Sequence, residues 1–184
     1  LDLAGPFWQD GLGGERFFMV IVDDYSKYVY VAVMKSKDQS PDKFIEFLSW
    51  IRTKGSRFDG TRVERARLDR GSEFTSQWFR TVMEKSGISP EFSNVAHPQQ
   101  NGAAERAVRT IKEISACLIN ESRRPVSWWP YAVVHAADLH NITRRRSTNR
   151  EGVHDGFSPS PHEKVFSVEL TGGDYQKRAV PWGK

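Results

Sequence analysis

Three acidic residues far apart in the chain, Asp2, Asp69 and Glu105, could share one piece of chemistry. Asp2 stands in the stub of a first strand, Asp69 ends the strand-like run "RVERARL", and Glu105 falls in the opening turns of a long helical pattern. Carboxylates brought to one edge of a sheet repel one another in a low dielectric, and a divalent cation is the usual partner that stabilises them. Hard oxygen donors select Mg²⁺ or Mn²⁺ over zinc. Each acid also has a plainer use when taken alone. An aspartate before a glycine commonly bonds its own backbone in a turn, as in "LDRGSEF". A glutamate at a helix N-terminus complements the dipole and pairs with a base four residues on, here Arg109.

The elements that would position these acids follow from periodicity. "RFFMVIV", residues 16 to 22, is a continuous apolar run suited to a strand buried on both faces. "DDYS" then turns the chain into "KYVYVAVMK", which makes a hairpin beside the first strand. Ser40 and Pro41 open a helix whose Phe44, Phe47, Leu48 and Ile51 recur at helical spacing. A second helix carries Trp78, Phe79, Val82 and Met83 and ends at Gly87, a residue free to adopt the left-handed conformation that closes helices. "ISPEF" predicts a short edge strand because Pro90 cannot donate to a ladder on both sides. The long helix is expected from about Ala103 to Glu121, and "SWWPYAVVHAADLHN" predicts another with Pro130 in its first turn. A βββαβαβα order with the first strand between later ones predicts an α/β fold with a central mixed five-stranded sheet flanked by helices. It would bring Asp2, Asp69 and Glu105 to one edge of that sheet. Residues 1–142 are expected to form this domain and 143–184 an extended tail or linker, since apolar content falls after Thr143.

Composition narrows the class of protein. No apolar run approaches the roughly 20 residues of a membrane helix, so no membrane partner is expected. Cys117, the only cysteine, allows no internal disulfide and suits a reducing compartment. The net charge of +4 is unevenly spread, for residues 105 to 150 hold nine Lys or Arg against four acids. A basic stretch of that kind fits a phosphate-bearing partner. The first residues already read as a strand, which suggests a piece of a longer polyprotein or enzyme. Asp23 and Asp24 read as turn formers, Glu73 as a surface acid or one that supports the site from behind, and Trp128 and Trp129 as core or a dimer face.

"DLAGPF", "VIVDDYSKYVYV", "LDRGSEF" and "HPQQNGAAERAVRTIKE" together resemble the catalytic core of a retroviral-type integrase, closest to the copia class of LTR retrotransposons. The likeness covers roughly residues 1 to 142, with a looser echo in "FSPSPHEKVF". Asp69 and Glu105 are separated by 35 residues, the spacing for which this family is named. The resemblance implies an RNase H-like fold in which Asp2, Asp69 and Glu105 are the catalytic, metal-binding acids, holding two Mg²⁺ or Mn²⁺ ions. Arg70 departs from the asparagine often found after the second acid. Arg109 and Lys112 match positions that contact element-end DNA, while Gln100 and Asn101 lie in the loop expected to position it. The implied activity is trimming of element DNA 3′ ends and their transfer into target DNA. Element ends and target duplex would be the partners, acting with a homodimer or higher multimer and no small-molecule substrate. An intracellular location, nuclear in a eukaryotic host, is expected. Two other readings stay open: another RNase H-like nuclease such as a DDE transposase, and a decayed core that binds DNA without catalysis.

Overall fold

The computed structural model describes residues 1–54, 63–69, 71–92, 102–143, 145–148 and 154–166. Its organisation is set by strand alternation. In β2 (Phe17–Val22) Phe18 and Val20 turn to one face, and Met19 and Ile21 to the other. β3 (Val29–Met34) sorts in the same way, with Val29 and Val31 on the first face and Ala32 and Met34 on the second. Because both faces are apolar, both must be covered.

One face receives α1 (Ser40–Lys54) through Phe44, Phe47 and Leu48, the single turn α2 (Ser72–Thr75) through Phe74, and α3 (Gln77–Ser86) through Phe79, Val82 and Met83. α4 (Gly102–Ser122) covers the other face with Ala107, Val108 and Ile111, and α5 (Trp129–Ile142) with Trp129, Val133, Ala136 and Ala137. The result is an α/β/α sandwich. α3 begins at Ser76, whose hydroxyl accepts the Phe79 N–H at 3.2 Å, and ends at Gly87 with φ of 65°. Pro130 lies in the first turn of α5, where a missing N–H costs nothing. Asn141 closes the outer edge of β3: its side chain accepts the Val29 N–H at 2.8 Å and donates to the Val29 carbonyl at 2.7 Å. Among the described residues no helix is long and apolar enough to cross a membrane.

The sheet departs from the sequence expectation. In place of one mixed five-stranded sheet there is an antiparallel trio in the order β1-β2-β3 and a separate parallel pair, β4 (Arg65–Leu68) with β5 (Ser89–Phe92). The reason is how β1 pairs. β1 (Asp2–Ala4) has three residues, all of them registered against Val20, Met19 and Phe18 of β2. Toward β4 it offers the Leu1 nitrogen, which donates to the Arg67 carbonyl at 2.7 Å. One bond joins the two sheets side by side without making a ladder. A cavity of about 410 Å³ lies in the seam between Ile21 and Val22 on one side and Glu64 to Ala66 on the other.

Within the stretch expected as an extended tail, β6 (Arg145–Thr148) and β7 (His154–Ser158) form an antiparallel hairpin, and α6 (Pro161–Phe166) packs on α5. A reciprocal cap starts α6. The Ser160 hydroxyl accepts the Glu163 N–H at 3.2 Å while the Glu163 carboxylate accepts the Ser160 N–H at 2.6 Å.

Candidate active site

Alternation also fixes where the acids point. Leu1 and Leu3 pack on the α1 face and Ala4 on the α4 face, so Asp2 shares the α4 face with Ala4. In β4, Ala66 and Leu68 pack on the α1 face. The same period puts Asp69, the next residue, on the α4 side. Glu105 stands in the first turn of α4, one position from buried Ala104. Asp2 and Asp69 are half-buried and Glu105 is exposed.

Local bonds hold the two aspartates. Asp2 Oδ1 accepts the Leu3 N–H at 2.8 Å, and Asp69 Oδ1 accepts the Gly71 N–H at 2.9 Å. The plain turn role of Asp69 is therefore present, and it leaves Oδ2 for other work. For Glu105 half of the plain role is present: it stands in the first turn of α4, where a carboxylate complements the helix dipole, but among the described residues no ion pair joins it to Arg109. Arg109 and Lys112 are exposed further along the helix, with the Lys112 ammonium 5.5 Å from the centre of the Phe7 ring. Phe7 is a residue that the sequence reading does not single out. Gln100, Asn101 and Arg70 lie outside the described residues. Asp23 takes the turn role expected of it, accepting the Ser26 hydroxyl at 2.6 Å, and Asp24 pairs with Lys27 at 2.6 Å.

Among the three acids, Asp2 feels its surroundings most. Burial pushes the Asp2 carboxyl above its usual range; the Leu3 N–H opposes this, while Asp69 and Glu105 add to it. An acid whose pKa is raised on folding costs nothing below its unfolded pKa and destabilises fully above its folded one. At pH 7 in EDTA, Asp2→Asn should therefore raise the melting midpoint. Asparagine keeps the acceptor for Leu3. The gain should shrink in millimolar Mg²⁺, and a midpoint unchanged in EDTA would contradict the cost of burying this charge.

Carboxylate oxygens of this number and net charge suit a hard divalent ion. Among the described residues, however, no group of three or more His, Cys, Asp or Glu is arranged to hold one as it stands. The donor chemistry of the three carboxylates fits such an ion.

A three-layer α/β domain with acids from an edge strand, the end of the strand beside it and a covering helix belongs to the RNase H-like class. Residues 4–98 match the family model described as "Integrase core domain", and the chain belongs to that family. The matched span contains Asp69 but neither Asp2 nor Glu105. The chain is 34% identical over 175 residues to the Retrovirus-related Pol polyprotein from transposon TNT 1-94 of Nicotiana tabacum, covering 90% of this chain and 12% of that one. It is 32% identical over 173 residues to the corresponding polyprotein from transposon RE1 of Arabidopsis thaliana, covering 91% and 11%. These relatives are therefore many times longer than the chain. Among solved structures it is similar to a chain of the simian T-cell lymphotropic virus intasome in complex with PP2A regulatory subunit B56 gamma. That match has a TM-score of 0.65 and 17% identity over 92% of this chain and 54% of the other, a likeness of fold alone.

Proposed function

We propose that this chain is the catalytic core of a retrotransposon integrase, trimming element DNA 3′ ends and joining them to target DNA. The observation that carries this reading is that strand alternation turns Asp2 and Asp69 to the side of the sheet covered by α4, whose first turn holds Glu105. Asp2, Asp69 and Glu105 would hold two Mg²⁺ or Mn²⁺ ions, which supply activation of the attacking oxygen and charge stabilisation at the leaving one.

The protein's own residues do the rest. Arg109 and Lys112 neutralise phosphates along α4 and hold the reacting strand over its N-terminal turn. Gln100 and Asn101 reach the strand from the preceding loop. In trimming, a water oxygen attacks phosphorus and the bond to the leaving 3′ oxygen breaks. In joining, the freed 3′-hydroxyl attacks a target phosphorus in the same in-line sense, and the bond to the target strand's own 3′ oxygen breaks. Two element ends must be joined together, so a homodimer or higher multimer is the working form. The reaction would take place in the nucleus of a eukaryotic host.

The purified domain with Mn²⁺ should join a labelled oligonucleotide end to a second duplex, or reverse that joining on a branched substrate. Cutting without joining would assign a plain nuclease instead. Arg109→Ala and Lys112→Ala should each reduce the slope of log affinity against log salt by about one. An unchanged slope would remove that residue from the phosphate path.

A further inference from the structure

Trp8 is held out into solvent by a loop that is otherwise tied down. The chain leaves β1 at Gly5, whose φ is +124° and where a Cβ would fall 2.5 Å from the Arg16 carbonyl oxygen. Just before Trp8, the Phe7 N–H donates to the Arg16 carbonyl at 2.9 Å. Just after it, the Gln9 carbonyl accepts the Trp129 indole N–H at 2.9 Å, and the Leu12 N–H donates to the Ser127 carbonyl at 3.0 Å. Phe7 turns inward and stacks on Trp129 with ring centres 4.4 Å apart. Trp8 turns outward and stays 83% exposed, the most exposed of the described tryptophans.

Scattered exposed apolar residues need no explanation, but Trp8 forms one wall of an open groove. That groove, about 400 Å³, runs along α4 past Lys112, Ser115 and Ile119. Among the described residues lining it, Lys112 is the sole charged side chain, and Gln9 and Asn120 contribute amides. A flat aromatic face, one cation and two amides fit a nucleotide, which offers a π-face, a phosphate and hydrogen-bonding edges. A nucleotide meets all three features of the groove at once, the ring by stacking, Lys112 through its phosphate and the amides through its base edge. Position along the helix agrees. At 1.5 Å per residue, Lys112 and Ile119 lie roughly 10 and 20 Å along α4 from Glu105. That corresponds to about three to six nucleotides of one strand.

We infer that Trp8 is a stacking platform for an unpaired base of bound DNA, about three to six nucleotides from the reacting phosphate, with Lys112 meeting the adjoining backbone. The inference rests on the DNA-joining role proposed above and adds a strand-positioning residue to it. It favours element ends or intermediates that carry a single-stranded stretch over fully paired duplex.

The test compares fluorescence anisotropy of a blunt duplex and of the same duplex with a single-stranded tail of about six nucleotides, using wild type, Trp8→Ala and Trp8→Phe. Wild type should prefer the tailed DNA. Trp8→Ala should bind it about 5- to 150-fold more weakly, the range expected for one lost base stack, and bind blunt duplex unchanged. Trp8→Phe should retain most of the preference. 2-Aminopurine placed in the tail should be quenched by wild type and not by Trp8→Ala. Equal tailed-DNA binding by wild type and Trp8→Ala overturns the inference. So does a Trp8→Ala protein that binds both DNAs normally but loses self-association by sedimentation, which would assign the groove to a protein contact. Should wild type bind neither DNA, the joining role itself fails, an outcome distinct from a selective loss in the variant.

Discussion

Asp69→Asn is expected to lower Mn²⁺-dependent strand joining by at least about a hundredfold. A cation's stabilisation of developing charge is worth several kcal/mol, and each 1.36 kcal/mol is a factor of ten in rate. The substitution is chosen to isolate that effect. Asparagine retains an oxygen that can accept the Gly71 N–H, the bond Asp69 makes at 2.9 Å, so the turn into α2 is preserved. What is lost is one negative charge and one anionic donor on the α4 side of the sheet. Duplex binding should be unchanged or slightly tighter, because a carboxylate no longer faces the phosphates. Circular dichroism and the melting midpoint report whether the fold is intact. Joining by Asp69→Asn at the wild-type rate would mean that the acid at position 69 has the turn role alone.

Phe18→Ala should be the most damaging single change to the fold itself, costing about 3 to 5 kcal/mol. Phe18 has no exposed surface and stands opposite Ala4 in the β1–β2 register. Its ring lies 5.7 Å from Phe7 and 6.4 Å from Trp129, so it is the packing link between strand, loop and α5. Domains of this size are stable by roughly 5 to 15 kcal/mol in total. A loss of this size should lower the melting midpoint by about 6 to 20 °C. Urea denaturation is the measurement, with an unchanged m-value showing that the denatured state is not the source. Joining should fall with the folded fraction, since the site is damaged only through its support. A cost below about 1 kcal/mol would contradict the layer packing described for the α4 face.

Much of this architecture is legible in the sequence because burial leaves a periodic trace. The uninterrupted run from Phe17 to Val22 announces a strand covered on both sides, and the structure sorts its residues alternately into two cores. Gly87 and Pro130 mark helix ends for backbone reasons that hold wherever the helix docks. Strand-to-strand pairing leaves no such trace. The apolar pattern of β4 is the same whether its edge joins a ladder with β1 or meets only Leu1. The β6–β7 hairpin and α6 escape prediction because they are short and their sequence is polar; the one local signal is "SPHE", the capping box at Ser160 and Glu163. Ser40 shows how a local rule can mislead. A 3-10 turn over Lys37–Gln39 runs directly into α1, and the Ser40 hydroxyl donates to the Lys37 carbonyl at 2.6 Å rather than capping the helix.

At the candidate site, residue types and spacing identify the three acids, and alternation is enough to assign Asp2 and Asp69 to the face that carries Glu105. Side-chain partners were hidden. Nothing in the sequence couples Phe7 to Lys112 across more than 100 positions, yet the ammonium sits over that ring. Trp128 and Trp129, adjacent and identical in type, also part company: Trp129 is buried against Phe7 and Phe18, whereas Trp128 is half-exposed beside Tyr131 and Arg124.

Anomalous X-ray diffraction from Mn²⁺-soaked crystals of the domain locates the cation without reference to any assay. The expected map has a manganese peak between the carboxylates of residues 2 and 69, with Glu105 drawn in on the α4 side once DNA is bound, and no peak there in Asp69→Asn. Manganese that avoids all three carboxylates in the DNA-bound protein, while joining activity persists, would contradict the assignment of these acids to phosphoryl transfer.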